Sequence, residues 1–340
     1  MKPDPIEAVL LLPRLRVQNA NAVSSPLTWG FPAPSAFTGF THALQRRLNA
    51  VGYRLNFGGV GIVCHQFDPQ VFQPPGRRTQ VFRLTRNPVD KDGDTSAIVE
   101  EGRTHLEISL VLTVAGEDCP YNEDDRKTLA AEVLACAEGM RLAGGSVLPN
   151  PNRHKYPAQW ITWPDLLEER RLEFRRLRRR LMPGFALVSR EQLLAQHIDR
   201  LRQTQPQTNA LDALLDLCRL NIEPQAALDT DDEAESAPPK LATTWAVRKQ
   251  HRGWLVPLPV GYAAISPLYQ PGEVKNARDS ELPFRFVESV LTLGEWLSPH
   301  RIAELPHLLW HHDAQPDAGL YRVYNPCPPS SPTAVTTPIV

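Results

Sequence analysis

The sequence predicts an α+β fold, because segments with the two-residue repeat of strands alternate with segments that have the helical repeat. Residues 8–17 begin as an apolar run and continue with charged and apolar residues in alternation, which predicts a strand with one buried face. Residues 104–116 alternate in the same way and predict a second strand. The apolar stripe of a helix is predicted at Phe37, Phe40, Leu44 and Leu48.

The first strand and the first helix are joined by an irregular connection that presents polar side chains and an indole. This connection contains Asn19, Asn21 and Trp29, and its prolines and glycine interrupt any regular element. After the helix, the apolar run Val60–Cys64 predicts a buried strand. Residues 70–114 predict a long β-hairpin arm with a polar tip. The outgoing limb of this arm contains Arg77, Arg78, Arg83 and Arg86 and no acidic residue among them.

The middle of the chain predicts two further helices and concentrates positive charge. Residues 123–140 have an amphipathic repeat, and residues 164–182 predict the most charged helix. Between them, Arg141 and the Gly144–Gly145 turn lead into a short strand. The charged helix ends with Arg178, Arg179 and Arg180. Residues 141–180 contain ten Lys or Arg against four Asp or Glu, so a nearly neutral chain contains one strongly basic region.

The last third of the chain predicts shorter elements around an acidic segment. Residues 223–240 contain six acidic residues and no base before Lys240, which predicts a flexible linker or loop. The proline-bearing residues 326–340 predict a mobile tail. The other predictions are a strand at 185–188, helices at about 189–203 and 209–220, an extended segment at 245–259, an irregular segment at 266–279, and helices at 283–297 and from residue 298 onward.

Size and composition fit a globular protein without disulfides or a membrane span. The chain has 340 residues, 42% of them hydrophobic, and a formal net charge of −1. Its 33 prolines argue against a plain helical bundle. The five cysteines form no C-x-x-C pair, so we expect reduced thiols in a cytoplasmic protein. No apolar run reaches membrane-spanning length, and the N-terminal residues lack the apolar core of a signal peptide.

The sequence gives little support to metal or cofactor chemistry. His307 and His311 have the spacing of metal ligands on a helix, but no catalytic glutamate lies between them, so we predict no metal. His65 follows a buried strand and is predicted to be structural. The glycine cluster at 58–61 is explained by a tight turn before that strand, and we expect no cofactor.

Three features each have a structural and a functional interpretation. The Gly144–Gly145 turn either ends a helix or lets an RNA backbone approach closely beside Arg141. Cations at a helix C-terminus interact favourably with the helix dipole, but three consecutive arginines exceed that role, and we favour phosphate or an acidic protein partner as their ligand. Trp29 and Phe31 are either core aromatics or, for one of them, a platform on which a base stacks.

Several long strings of the sequence resemble one protein family. They include LLLPRL (10–15), SSPLTWGFP (24–32), GVGIVCHQF (59–67), MRLAGGS (140–146), RRLMPGFALVSRE (179–191) and LYQPGEVKNARD (268–279). By these strings the chain resembles the second subunit of the type I-F CRISPR surveillance complex, the Csy complex, which is a Cas-five-like member of the RAMP superfamily. The resemblance covers roughly residues 6–325.

The resemblance implies an RRM-like, ferredoxin-like core in residues 1–222, with additional helices. A β-hairpin thumb would be inserted at about 70–114 and a basic helical insertion at about 150–182, and residues 241–325 would pack on the core. The implied function is non-catalytic: the chain would bind the 5′ handle of the CRISPR RNA and pair with the large subunit and the backbone subunit for antiviral defence. Target DNA, met through the complex, and anti-CRISPR inhibitor proteins would be further partners.

Residue type and expected exposure select the RNA-facing residues. Arginine pairs with phosphates, Asn and backbone groups read splayed bases, and an aromatic ring stacks on them. The predicted RNA-binding set is Arg14, Arg16, Asn19, Asn21, Trp29, Arg77, Arg78, Arg86, Arg141, Gly144, Gly145, Arg178, Arg179 and Arg180.

Two other functions are compatible with the same sequence. A metal-independent endoribonuclease of this superfamily would cleave CRISPR repeat RNA and would depend on His42, His65 or His154. A general RNA chaperone would bind any single strand with equal affinity and would behave as a monomer.

Overall fold

The computed structural model of the protein describes residues 6–83, 89, 92–95, 101–226, 243–248, 251 and 253–328. The strands of these ranges form one large antiparallel sheet and three two-stranded sheets, and helices pack against the large sheet. The fold is therefore of mixed α and β type, as the alternation of the two repeats predicts. Within the same ranges, no helix is both long enough and apolar enough to cross a bilayer.

The elements are numbered in chain order. The described helices are α1 (Pro34–Ala50), α2 (Glu123–Glu138), α3 (Leu167–Arg180), α4 (Glu191–Thr204) and α5 (Ala210–Cys218), with two 3-10 helices at Pro299–Arg301 and Leu305–Leu308. The described strands are β1 (Ala8–Asn21), β2 (Val23–Ser25), β3 (Thr28–Trp29), β4 (Leu55–Pro69), β5 (Val71–Phe72), β6 (Val81–Phe82), β7 (Arg103–Gly116), β8 (Arg141–Leu142), β9 (Gly145–Leu148), β10 (Gln159–Thr162), β11 (Phe185–Ser189), β12 (Asn221–Ala226), β13 (Thr243–Arg248), β14 (Trp254–Ala264), β15 (Val287–Leu297), β16 (Leu309–Gln315) and β17 (Leu320–Tyr324).

The large sheet has the order β11-β15-β14-β17-β16-β4-β7-β1-β9-β8, and β10 pairs with β1 beside β9. Part of this sheet closes on itself, because β4 pairs with β16 at Gly61 and with β11 at Cys64. Six strands, from β11 through β16 to β4, therefore form a ring. The fully buried Trp310 ties two of them together, since its indole N–H donates to the Leu187 carbonyl at 2.8 Å.

Strand β1 is central and is covered differently along its length. Near its start, Leu10 and Leu12 face α1 and α2, whereas Val9 and Leu11 pack with α3 on the other face. A bulge between Leu12 and Leu15, with Arg14 at a φ of +53°, separates this part from the rest. Beyond the bulge, alternate residues remain buried against the first face, and the intervening Arg16 and Gln18 are exposed. The second half of β1 thus has one open, polar face.

The helices predicted at 283–297 and from residue 298 onward are wrong. Residues Val287–Leu297 form β15, which pairs with β11 and β14. A strand with neighbours on both sides and buried residues in succession lacks simple alternation, so its apolar positions also fit a helical repeat. After it come the two 3-10 helices and then β16, which places His307 in a 3-10 helix and His311 in a strand.

The predicted arm at 70–114 differs from the structure in its returning limb. Residues 103–116 are β7, a mostly buried strand between β1 and β4 at the centre of the large sheet. At the start of the arm, β5 pairs with β6 in a short hairpin, and residues 84–88, 90–91 and 96–100 lie outside the described ranges. Alternation predicted the strand correctly, but it does not identify pairing partners that lie far away in the sequence.

The C-terminal part shares its sheet with the N-terminal part, because residues 254–324 supply β14 to β17. Of the predicted acidic linker, residues 223–226 belong to β12, and residues 227–240 lie outside the described ranges. Of the predicted tail, residues 326–328 are described and residues 329–340 are not.

An ion pair in the interior connects the C-terminal segment to the sheet. The side chains of Arg190 and Glu295 are 2% and 0% exposed, and their Nε and Oε2 atoms are 2.5 Å apart. A second guanidinium nitrogen of Arg190 donates to the Pro328 carbonyl at 2.6 Å. Nearby, the Asn325 side chain accepts from the Ser189 N–H and donates to the Leu309 carbonyl. Residues 325–328 are therefore fixed to β11, β15 and β16.

Candidate nucleic-acid interface

One end of the large sheet brings together most of the predicted RNA-facing residues. It is the end where β1 and β4 stop and β7 begins, since Asn21 pairs with Arg103 and Pro69 with Thr104. The turn between β8 and β9 joins this end, because the Asn21 N–H donates to the Ala143 carbonyl at 2.8 Å. We call the following exposed residues the basic end: Arg16, Asn19, Asn21, Trp29, Arg77, Arg78, Arg141 and Gly144.

Trp29 is the exposed aromatic residue of the basic end. It lies in the small hairpin of β2 and β3 and is 55% exposed, with the edge of its ring against Phe82 at a centroid distance of 5.4 Å. Phe31 instead stacks on Phe37 of α1 and meets the edge of Trp296. Of the two aromatics considered for base stacking, Trp29 is therefore the one whose ring is accessible, and Phe31 belongs to the core.

Arg77 and Arg78 lie in the connection between β5 and β6. The backbone N–H of Arg77 donates to the Pro74 carbonyl, and the Gln73 side chain donates to the carbonyl of Arg77, which orders the turn. Both arginines are exposed, and among the described residues no carboxylate lies within 4 Å of either guanidinium group. Arg86 lies outside the described residues.

The two asparagines of β1 differ in whether their side chains already form hydrogen bonds within the protein. The Asn21 side chain accepts from the Val23 N–H and donates to the Val23 carbonyl, so it holds its own turn. Asn19 adopts a φ of +57° and donates its backbone N–H to His105, and its side chain is exposed. Asn19 is thus better placed than Asn21 to contact a ligand.

A groove of about 260 Å³ runs beside Arg16 on the open face of β1. It is lined by polar side chains that the sequence-based set omitted, namely Gln18, Gln66, Asp68 and His105. The alternation of residues 14–18 pointed to Gln18, because this residue shares the wet face with Arg16. The other three lie on β4 and β7, and their proximity depends on strand pairing that the sequence does not reveal.

The two glycines of the β8–β9 turn have different roles. Helix α2 ends at Glu138, so neither glycine caps it, and that interpretation is wrong. Gly144 is exposed and has a φ of +76°. Gly145 is buried, and a Cβ atom there would lie 2.6 Å from the backbone nitrogen of Ala20 and from the carbonyl oxygen of Gln18. Close approach of β1, rather than of a ligand, explains Gly145.

Replacing Gly145 with alanine is expected to destabilise the protein more than replacing Gly144. The new methyl group of G145A would separate the paired backbones of β1 and β9. In G144A nothing lies within 4 Å of the new Cβ atom, and the cost is the positive φ alone, about 1 kcal/mol. Urea unfolding of the two variants measures the difference, and equal losses would contradict the packing role of Gly145.

Arg14 is used within the protein and is not part of the basic end. Its guanidinium group pairs with Glu107 at 2.8 Å and lies over the Tyr156 ring, and only 13% of its side chain is exposed. Its backbone N–H donates to the Ser109 hydroxyl, and its carbonyl accepts from Asn150. The alternation predicted an exposed Arg14, but its side chain is mostly covered and pairs with Glu107 of the neighbouring strand.

Beside the Arg14–Glu107 ion pair, both ring nitrogens of His65 form hydrogen bonds. Nδ1 lies 2.7 Å from the Pro183 carbonyl and must donate to it, because a carbonyl only accepts. Nε2 then accepts from the Ser109 hydroxyl at 2.7 Å. Burial, the largest cause, lowers the pKa of His65 to about 4. His65 is therefore neutral near pH 7 and links β4, β7 and the segment before β11, in line with its predicted structural role.

The His65 environment predicts a pH-dependent stability. Because the pKa of His65 is about 4 in the folded protein and 6.5 in an unfolded chain, the unfolded chain takes up the proton first as the pH falls. The free energy of unfolding should therefore decrease between pH 6.5 and about 4. Urea unfolding at several pH values should show a smaller decrease for His65→Asn, since that side chain does not titrate. Parallel curves for the two proteins would be inconsistent with this account.

Arg178, Arg179 and Arg180 lie away from the basic end, on the helix that covers the first half of β1. Arg178 is not available as a phosphate ligand, because its Nη1 donates to the carbonyls of His300 and Ile302 at 2.9 and 2.6 Å. Its guanidinium group also lies over the Phe174 ring. Arg179 and Arg180 are exposed. The three adjacent arginines thus have two different environments.

Arg178→Ala is expected to lower the free energy of unfolding by about 1–3 kcal/mol, the usual effect of losing hydrogen bonds from a charged donor. Arg179→Ala is the matched control, since it removes an equally charged side chain that is exposed. Thermal and urea unfolding should separate the two variants. A similar stability for both would show that the two carbonyl contacts contribute little.

The histidines considered for nuclease chemistry do not form a group. His42 and His154 are exposed on separate segments, whereas His65 is engaged as described. Across the ranges that the structure describes, no three His, Cys, Asp or Glu side chains come close enough to hold a metal ion. The five cysteines are free thiols.

Comparison with known proteins gives a consistent result over nearly the whole chain. A family model described as "CRISPR-associated protein (Cas_Csy2)" matches residues 10–323. A relative from Pseudomonas aeruginosa (strain UCBPP-PA14), described as "CRISPR-associated protein Csy2", is 58% identical over 323 residues. The match covers 94% of this chain and 96% of the relative. The similarity thus extends over the large sheet as well as the basic end.

Proposed function

The chain belongs to the CRISPR-associated Csy2 family, and from this premise we propose that it is a non-catalytic subunit of a type I-F CRISPR RNA-guided surveillance complex. In this role it binds the 5′ handle of the CRISPR RNA and pairs with the large subunit of the Csy complex for antiviral defence. It also contacts the backbone subunit, and it meets target DNA through the assembled complex.

The basic end is the observation that carries the RNA-binding part of the proposal. Arg77, Arg78 and Arg141 are exposed there without a carboxylate partner among the described residues. Arginines in this state are suited to phosphates, and the accessible ring of Trp29 is suited to stacking on a base. The exposed side chain of Asn19 supplies hydrogen-bonding groups for a base edge. Single-stranded RNA needs this combination of cations, a ring and amide groups.

The arrangement of the first strands supports an RRM-like core. The chain runs β1-α1-β4-β7-α2-β9 when the short β2, β3, β5, β6 and β8 are set aside, and the four long strands lie in the order β4-β7-β1-β9. This β-α-β-β-α-β sequence with the first and third strands adjacent is that of the ferredoxin-like fold. In our proposal β5 and β6 belong to the thumb.

The non-catalytic part of the proposal is supported by the state of the histidines. A metal-independent ribonuclease needs a base that can accept a proton from the attacking 2′-hydroxyl. His65 has its Nε2 occupied by Ser109, and its pKa is shifted well below neutrality. His42 and His154 are exposed on separate segments.

Co-expression with the other subunits of a Csy complex and a repeat-derived RNA tests the proposal directly. We expect one assembly on size-exclusion chromatography that contains this chain and uncleaved RNA. We also expect the purified chain to bind RNA with the handle sequence more tightly than a scrambled single strand of equal length. Cleavage of repeat RNA by the purified chain, or equal affinity for both strands, would overturn the proposal.

A further inference from the structure

A second surface, distinct from the basic end, lies along strand β10. It is a groove of about 1010 Å³ between α2 and α3, and β10 runs along it. Small and apolar side chains line its middle, including Ala131, Leu134, Pro157 and Ala158. The groove lies beside the first half of β1, because β10 pairs with Ala8–Leu11. It is therefore at the opposite end of β1 from Asn19 and Asn21.

Strand β10 has one unpaired edge. Among the described strands it pairs only with β1, so its other edge faces the groove with backbone N–H and C=O groups that have no strand partner. A short edge of this kind is a template for an added strand. Helix α2 packs on one face of the sheet here and α3 on the other, so the two helices form walls on either side of that edge.

The charged groups of the groove favour an acidic ligand. Two cations, Arg153 and Arg180, have no carboxylate within 4 Å among the described residues, whereas the guanidinium group of Arg126 already donates to two backbone carbonyls. Of the acidic lining residues, Glu123 is neutralised by Lys127 and Glu173 by Arg176. Glu138 is the one acidic lining residue without such a pair in the described part of the chain. Positive charge is thus in excess along the unpaired edge.

We propose that this groove binds an extended, acidic segment of another protein subunit of the complex, which adds to β10 as a further strand. Backbone hydrogen bonds to β10 provide the register, apolar side chains of the segment pack on the alanines and Leu134, and its carboxylates pair with Arg153 and Arg180. This inference rests on the proposed function, because it requires that the chain assembles with other protein subunits.

A protein segment fits the groove better than an RNA strand does. RNA binding without sequence preference uses exposed aromatic rings, and among the described residues that line the groove the one aromatic, Trp160, is 8% exposed. A phosphate group only accepts hydrogen bonds, so it cannot pair with the C=O groups that alternate with N–H groups along a strand edge. A peptide backbone has both donors and acceptors and can pair with both. The exposed aromatic ring and the amide side chains lie instead at the basic end.

Charge reversal of the groove tests the proposal in the assembled complex. The variant R153E/R180E is expected to reduce the amount of this chain that co-purifies with the other subunits by about tenfold or more. The control R46E/R175E changes two exposed arginines that do not line the groove and is expected to assemble like the wild type. Wild-type assembly by the groove variant, or an equal loss in the control, would overturn the inference.

RNA affinity separates a failure of this inference from a failure of the proposed function. The purified groove variant is expected to lose no more than a few-fold in affinity for the handle RNA, through the long-range field, because the basic end is unchanged. If the wild-type chain itself fails to prefer that RNA, the proposed function is at fault. Normal RNA binding combined with normal assembly of the groove variant rejects the groove alone.

A photoreactive residue in the groove identifies what occupies it. Benzoylphenylalanine in place of the exposed Thr162 of β10 should crosslink to another protein subunit when the complex is irradiated. Slower hydrogen exchange at residues 159–162 in the complex than in the free chain should accompany the crosslink. A crosslink to RNA, a crosslink to a second copy of this chain, or no crosslink would each reject the strand-addition model.

Discussion

Arg190→Ala is expected to lower the free energy of unfolding by about 3–5 kcal/mol, the cost of leaving a buried charge without its partner. The Glu295 side chain is 0% exposed, and its second oxygen, Oε1, has no hydrogen-bond partner among the described residues. The substitution also removes the donor that holds the Pro328 carbonyl. Since whole domains are stable by only about 5–15 kcal/mol, this single change removes a large part of the total.

The matched control removes both charges together. Arg190→Met combined with Glu295→Leu keeps an apolar volume at each site and leaves no buried charge, so its loss should be far smaller than that of Arg190→Ala. Urea unfolding followed by circular dichroism measures both variants at pH 7. A double variant as unstable as Arg190→Ala would mean that the tie to residues 325–328, rather than the uncompensated carboxylate, determines the loss.

R77E/R78E/R141E is expected to weaken binding of the handle RNA by about 100-fold or more at physiological salt. Each lost Arg–phosphate contact also removes a released counterion, so the dependence of affinity on salt should become shallower by about two powers for a single strand. All three positions are exposed, which leaves the folded structure without an internal contact to lose. Fluorescence anisotropy with labelled RNA at several salt concentrations measures both quantities.

A triple control, R46E/R175E/R278E, distinguishes a local site from a general charge effect. It changes the net charge by the same amount but affects α1, α3 and the exposed Arg278 instead of the basic end. We expect its RNA affinity to fall by only a few-fold, through the long-range field. Equal losses in the two variants would mean that RNA does not bind preferentially at the basic end.

Elements whose signal lies within a short window could be predicted from the sequence. The stripe of α1 is buried as expected, and β1, β4, β7 and α2 occur where their repeats place them. The failure at 287–297 has a physical cause: β15 has neighbours on both sides and buries consecutive residues, so it does not show the alternation of a half-exposed strand. The closure of six strands into a ring depends on β4 pairing with β11 and β16, and long-range pairing leaves no local pattern.

The candidate site could be predicted by residue type but not by environment. Exposed arginines, Asn19 and Trp29 were chosen correctly as accessible groups, and the structure brings them to one end of the sheet. Arg14 and Arg178 have the same side chain, but both are engaged within the protein. Arg14 pairs with Glu107, and Arg178 donates to the carbonyls of residues 300 and 302. These partners lie 93 and more than 120 residues away in sequence. Composition near an arginine therefore cannot show whether its charge is available.

The continuity of β1 has a geometric consequence. One strand, with bulges between Leu12 and Leu15 and between Val17 and Ala20, carries the edge partner β10 near Leu10 and the polar residues near Asn19. At about 3.3 Å per residue, these two places are separated by at most about 30 Å of hydrogen-bonded backbone. A neighbouring subunit docked at the first place and a transcript held at the second would keep a constant spacing. The protein would thereby fix the distance between the 5′ end of the guide RNA and the neighbouring subunit.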